Sequence, residues 1–183
     1  MIKNFKKNPA VIIVDDHLIF RQGLKAIINF ENIGSVIGEA SSGEEFIELL
    51  TVLKPDLVLM DIDLPNMNGI EATIKALEIK PDLKIIAFTV FAEEEYYKKM
   101  FDIGAKGFIL KSVGFYELEN AIAFVMNGGR YFSSLFQKAI NNEKEDNEFN
   151  EVDNEVYNIK RNGKMQFFPW HVKGITNVNV ISK

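Results

Sequence analysis

Between residues 10 and 126 two kinds of segment alternate along the chain. Short, nearly continuous apolar runs rich in Val and Ile occur at Ala10–Val14, Ser35–Ala40, Leu57–Met60, Lys84–Thr89 and Gly107–Leu110. They read as parallel strands buried on both faces, since a half-exposed strand would alternate apolar and polar positions. The stretches between them carry helical spacing. Phe20, Leu24, Ile27 and Ile28 share one face, as do Phe46, Leu49, Leu50 and Leu53. Ile70, Ile74 and Leu77 repeat the pattern, Tyr96, Tyr97, Met100 and Phe101 follow it less cleanly, and Leu118, Ala121, Ile122 and Val125 close it. Five strand–helix units in succession predict an α/β fold, a doubly wound five-stranded parallel sheet with helices on both faces. Right-handed crossovers leave few topologies for it.

The alternation stops near residue 140, and there the composition changes the picture. Residues 141–155 hold seven acidic residues, five Asn and one Lys, a solvated linker composition. Residues 156–183 hold no acidic residue, five Lys or Arg, one His, the only Trp, and the run Phe167, Phe168, Pro169, Trp170. The expected organisation is a basic extension over 1–8, an α/β domain over 9–132, a helical extension with acidic linker over 133–155, and a short basic tail over 156–183. A length of 183 residues suits one ordinary domain and a smaller piece.

Charge and composition narrow the function classes. A net charge of −5 gives the whole molecule no general attraction for nucleic acid. The absence of Cys excludes a disulfide framework and thiolate metal sites, and it fits a reducing compartment. No apolar run approaches the ~20 residues that span a bilayer. The basic start MIKNFKKNPA is not followed by a long apolar stretch and cleavage site. The expected location is cytoplasmic, with no membrane partner.

In open α/β sheets, sites form at the carboxyl ends of strands near the topological switch point. The first run ends in Asp15-Asp16, the third in Asp61-Ile62-Asp63, the fourth in Thr89 and the fifth in Lys111. Singly, each residue has an ordinary explanation: a turn-capping Asp, a β-forming Thr, a solvated Lys. Together, at four strand ends, they predict one rim of carboxylates, a hydroxyl and an ammonium. Close carboxylates repel unless a cation neutralises them. Oxygen donors without Cys or His select a hard ion such as Mg2+. A carboxylate can attack a phosphoryl group to give an aspartyl phosphate, and the charge on the transferring oxygens then needs a cation, an ammonium and a hydroxyl around it.

VIIVDDH (11–17), LVLMDIDLPNMNG (57–69), AFTVF (87–91) and GAKGFILKS (104–112) resemble the receiver domain of bacterial two-component response regulators. The resemblance covers about residues 9–132. It implies a flavodoxin-like, CheY-like sheet in the order 2-1-3-4-5. It implies Asp61 as phosphoacceptor, Asp16 as a direct Mg2+ ligand with Asp15 beside it, and the main-chain carbonyl of Asp63 as a further ligand. Thr89 matches the switch hydroxyl, Phe108 the switch aromatic, Lys111 the lysine that pairs with phosphoryl oxygens, and Pro65 and Gly69 the loop after the acceptor. Val90 is bulkier, and Asp63 more acidic, than is common at their positions, which bears on rate and lifetime. The resemblance further implies a sensor histidine kinase as phosphoryl donor. It also implies a homodimer through the face of the fourth helix, fifth strand and fifth helix.

GGRYFSSLF (128–136) resembles the receiver exit of LuxR/NarL-type transcription regulators, whose chains continue into a four-helix DNA-binding domain. Residues 156–183 do not match that continuation. Gly163, Pro169 and Gly174 interrupt them, and Ile175, Val178, Val180 and Ile181 among Thr and Asn read as strand or coil. A non-native end left by truncation or frame shift, a basic segment touching nucleic acid or a partner, and a segment folding back through its aromatic run all remain open. DNA binding is therefore left open for this chain: transcription control inherited from that family competes with a stand-alone receiver that acts by protein contact or as a phosphate sink, and the unmatched effector region favours the second. His171 lacks companions for a zinc site, and His17 beside Asp16 reads as a helix-start residue.

Two rivals stand beside the receiver reading. A haloacid-dehalogenase-type phosphatase also uses an Asp-x-Asp pair after a strand, but needs an acidic pair on a strand later than Lys111. A flavin module on the same fold needs a phosphate-binding loop after the first strand, where Asp15 and Asp16 would repel the phosphate.

Overall fold

The structure, a computed structural model, describes residues 8–132. The expected helical extension and acidic linker over 133–155, the basic tail over 156–183, and all but the last residue of the basic N-terminal extension lie outside the described residues. The elements in chain order are β1 (Ala10–Val14), α1 (Leu18–Phe30), β2 (Ser35–Ala40), α2 (Gly43–Val52), β3 (Leu57–Met60), α3 (Gly69–Ile79), β4 (Lys84–Thr89), α4 (Glu94–Asp102), β5 (Gly107–Leu110), α5 (Phe115–Met126) and β6 (Tyr131–Phe132). The sheet order is β2-β1-β3-β4-β5-β6, and every pairing is parallel. The predicted order 2-1-3-4-5 is present, with one short strand added outside β5.

Successive strand residues face opposite ways, so each strand feeds two cores. Val11, Ile13, Leu57, Leu59, Ile86, Phe88 and Ile109 pack against Leu24 and Ile28 of α1 and Leu118, Ala121, Ile122 and Val125 of α5. Ile12, Val14, Val58, Met60, Ile85, Ala87 and Phe108 pack against α2, α3 and α4. This two-sided burial is why β1 and β3 read as unbroken apolar runs.

The helix faces follow the expected spacing with two corrections: in α1 Leu24 and Ile28 are buried while Ile27, expected beside them, is 44% exposed, and α3 departs further. In α3 the buried residues are Gly69, Ala72, Thr73 and Ala76, while Ile74, expected on the inner face, is 40% exposed. Small residues let this helix lie close to the sheet, and Ile70 and Leu77 flank the contact. The tightest point is Gly69, where a Cβ would lie 1.9 Å from the Asp61 carbonyl oxygen. Only a residue without a side chain fits there. Asn68 starts the helix by accepting hydrogen bonds from the Ile70 and Glu71 N–H groups, both at 3.0 Å.

The added strand begins at the end of α5. Gly128 takes a φ of +93°, and the Gly129 N–H returns to the Phe124 carbonyl at 3.0 Å. This left-handed turn reverses the chain. It lays Tyr131 beside Gly107 and Phe132 beside Phe108.

Candidate functional site

The carboxyl ends of β1, β3, β4 and β5 meet at one rim. Main-chain hydrogen bonds carry the ladder one residue past each strand: Asp15 N–H to the Ala40 carbonyl (3.0 Å), Asp61 N–H to Val14 (2.8 Å) and Lys111 N–H to Thr89 (2.7 Å). The side chains of Asp15, Asp61 and Lys111 are thus set by the sheet itself.

Asp15 and Asp61 are each only 2% exposed. Between them lies the Lys111 ammonium, 2.6 Å from Asp15 Oδ2 and 2.5 Å from Asp61 Oδ2. The Phe20 ring lies 4.7 Å from the same Nζ and shields it by a cation–π contact. Burial pushes the Asp61 carboxyl above its ordinary range; Lys111 opposes this, and the neighbouring Asp15 charge adds to it. Burial alone would lower the Lys111 ammonium, but its bonds to Asp15 and Asp61 outweigh that and hold it above the ordinary lysine value.

The other expected residues take their places around this triad. Asp16 is exposed, and one donor atom each from Asp15, Asp16, His17 and Asp61 all lie within 4.8 Å of one another. This cluster is able to hold a metal ion. Asp63 is exposed, its carboxylate stays outside that group, and its N–H points to Asp61 Oδ1 at 3.4 Å. Thr89 is fully buried, and its hydroxyl accepts the Phe91 N–H at 3.3 Å. Val90 stands 65% exposed next to it. Phe108 is buried beneath the rim, its ring 5.4 Å from that of Tyr97.

Two contributors were not legible in the sequence as parts of the site. Phe20 was expected only as a core residue of α1, yet it covers Lys111. Arg21 donates to the Asp15 carbonyl and lies 3.5 Å from Glu39. Both come from the first turn of α1, and their placement depends on how that helix is rotated over the rim. Helical periodicity does not report that rotation.

Comparison with known proteins agrees with the geometry. The response regulator receiver domain matches residues 11–123. The response regulator GacA of Pseudomonas viridiflava is 38% identical over 141 residues, which is 72% of this chain and 66% of that protein. The oxygen regulatory protein NreC of Staphylococcus carnosus is 31% identical over 179 residues, 94% of this chain and 81% of its own length. A LuxR-family two-component response regulator from an Aurantimonas species superposes with a TM-score of 0.69 at 32% identity, covering 74% of this chain and 97% of that structure. The phosphatase alternative finds no support, because the acidic pair precedes the Asp61 strand and the family match covers residues 11–123, from β1 into α5. This chain belongs to the response regulators of two-component signal transduction, and its α/β domain is a receiver domain.

Proposed function

We propose that Asp61 is the phosphoacceptor of this receiver, taking its phosphoryl group from the phosphohistidine of a sensor kinase. The observation that carries the reading is the Lys111 ammonium bridging two buried carboxylates at the strand ends. An Asp61 carboxylate oxygen attacks phosphorus, the phosphorus–nitrogen bond to the donor imidazole breaks, and its electron pair leaves with that ring. Lys111, already within reach of Asp61 Oδ2, is positioned to pair with an oxygen of the incoming group. Thr89 supplies a hydroxyl from the next strand, and Phe108 lies beneath it as the aromatic that follows its rotation.

The donor set fits Mg2+, since Lys111 occupies Oδ2 of Asp15 and Asp61 and leaves carboxylate oxygens of Asp15, Asp16 and Asp61 for a hard ion. Carboxylate oxygens of Asp15, Asp16 and Asp61 and the Asp63 main-chain carbonyl would hold the ion, which would supply positive charge to the phosphoryl oxygens. Acetyl phosphate with Mg2+ is expected to add one phosphoryl group to the intact mass, and Asp61→Asn to abolish the addition. Labelling that persists in Asp61→Asn overturns the assignment. The domain thereby catalyses its own phosphorylation, and its dephosphorylation when water attacks the phosphorus and the Asp61 carboxylate leaves with release of inorganic phosphate, without being an enzyme of turnover.

Residues 9–132 form the receiver in this reading, and 133–155 connect it to 156–183. The output is transcription control, by analogy with relatives such as the transcriptional regulatory protein DegU of Brevibacillus brevis, 36% identical over 66% of this chain and 51% of that protein. A dimer through the α4–β5–α5 face would meet β6 on the outer edge of β5. The setting is the cytoplasm; among the described residues no helix is long and apolar enough to cross a membrane. Binding to mixed duplex DNA that strengthens with beryllium fluoride and Mg2+ is the expected result, and equal or absent binding in both states removes the DNA output.

A further inference from the structure

Resting on the phosphoacceptor reading above, we propose that Phe20 is a positioning residue for phosphoryl transfer. Its ring face holds the Lys111 ammonium in place while that ammonium trades the Asp61 carboxylate for an oxygen of the incoming phosphoryl group. Phe20 lies in the first turn of α1 and is half-buried. It packs at the margin of the core that α1 shares with the sheet, where Leu24 and Ile28 are buried. Its ring touches two things. The Phe88 ring lies 5.6 Å away, centroid to centroid, at a tilt of 49°. Lys111 Nζ lies over the ring, 4.7 Å from its centroid. Phe88 is buried and directly precedes Thr89 in β4. The core thus steadies the ring that meets the ammonium.

The ammonium has contacts of two kinds, and they behave differently when a phosphoryl group arrives. Its bonds to Asp15 Oδ2 (2.6 Å) and Asp61 Oδ2 (2.5 Å) depend on the negative charge of those oxygens. As the Asp61 carboxylate attacks phosphorus, its charge is spent, and the negative charge to be met lies on the phosphoryl oxygens. The ammonium has to turn toward them. Its attraction to a ring face is electrostatic and does not depend on which N–H points where, so it persists as the ammonium turns.

That attraction also counts for more once the Asp61 charge is gone, and it is strongest where water is excluded. The Lys111 side chain is 9% exposed. The ring therefore stabilises the transferring arrangement more than the resting one, which is the condition for lowering a barrier. A leucine at position 20 would keep apolar cover without attracting the ammonium. A packing role alone accounts for the contact with Phe88, but it predicts no dependence on the electrons of the ring.

The test uses the full chain with acetyl phosphate and Mg2+, acetate leaving as Asp61 takes the phosphoryl group. Phe20 is replaced by mono-, di- and trifluorinated phenylalanine, which withdraw electrons from the ring face stepwise and nearly keep its shape. The labelling rate at saturating acetyl phosphate is expected to fall stepwise, by about tenfold across the series. Mg2+ affinity, measured calorimetrically, is expected to stay constant. Phe20→Leu is expected to label as slowly as the end of the series. In NMR spectra of lysine-labelled chain, the Lys111 ε-methylene protons are expected upfield of those of the other lysines, with and without beryllium fluoride, because the ring shields them in both states. A rate that is flat across the fluorinated series overturns the assignment even where Phe20→Leu is slow. So does a fall matched by a loss of Mg2+ affinity, or shielding that disappears with beryllium fluoride. A parent chain that takes no phosphoryl group overturns the Asp61 reading itself.

Discussion

The same sheet is finished in opposite ways at two places. At the carboxyl rim, Asp15, Asp61 and Lys111 are buried as charges, each relying on the others. At the outer edge of β5, closure is aromatic. Phe132 of β6 lies edge-on to Tyr97 at 5.1 Å and to Phe101 at 5.2 Å, and the Arg130 guanidinium covers the Phe101 ring at 4.7 Å. The rim holds charges that an added cation or phosphoryl group would re-pair, so it is built to respond. The edge is held by dispersion and area burial, which respond to no ion. The two are neighbours through Phe108, which pairs with Phe132 in the sheet and whose ring packs at a tilt against Tyr97. A change at the rim that moves Phe108 would therefore reach β6.

The contrast is tested most severely at Lys111. Replacing it with Met leaves two buried carboxylates facing each other with their shared cation gone. Breaking a buried ion pair from one side costs about 3–5 kcal/mol, and urea unfolding in chelator is expected to show a loss of that size. Mg2+ should restore part of it, because the ion supplies the missing positive charge. Phe132→Ala comes next, at about 3 kcal/mol for a large aromatic removed from a packed edge. Mg2+ should restore none of that loss. If the two variants respond alike to Mg2+, the distinction between a charged rim and an apolar edge fails.

Gly69→Ala probes the wall of the rim. Its Cβ would meet the Asp61 carbonyl oxygen at 1.9 Å, so either α3 or the residue after β3 must shift. Overpacking of this kind costs roughly 1–3 kcal/mol. The larger consequence is expected in function, as slower labelling of Asp61 by acetyl phosphate at unchanged Mg2+. Normal labelling with normal stability would show that the close approach does not set Asp61.

The rim was legible in the sequence and the edge was not, for physical reasons. Strand ends are marked by where an apolar run stops, and Asp15, Asp61, Thr89 and Lys111 sit at those stops, so parallel topology alone brings them together. β6 has two residues, too few to display any period, and its position depends on the turn at Gly128. The inner face of α3 was misjudged because Ile74 outweighs Ala72 and Ala76 in hydrophobicity, whereas packing close to the sheet selects for small size. The first turn of α1 carries Phe20 and Arg21 into the site by a rotation that no local pattern encodes. His17 was noticed only as a helix start. Its ring orientation toward Asp16 is a fact of three dimensions.

The smallest expected effect concerns the cost of Asp61 to the protein that carries it. Burial, reinforced by Asp15, raises the folded-state value of this carboxyl above its ordinary one, with Lys111 only partly compensating. The folded chain therefore binds this proton more tightly than the unfolded chain. Its contribution to stability is fully present below the unfolded value, about 3.9 for Asp. That contribution is lost as pH rises through the folded value, so at neutral pH the ionised carboxylate weakens the metal-free fold. Asp61→Asn, which keeps the shape and removes the charge, should accordingly raise the melting temperature in chelator at pH 7, and the gain should shrink as the pH is lowered toward the unfolded value. Mg2+ should narrow the difference at pH 7, because it stabilises the parent and finds fewer ligands in the variant. A variant that melts lower than the parent at pH 7 in chelator would mean that the bond to Lys111 outweighs the burial of Asp61, and the rim would then be a stabilising ion cluster like any other rather than a site held ready for a cation.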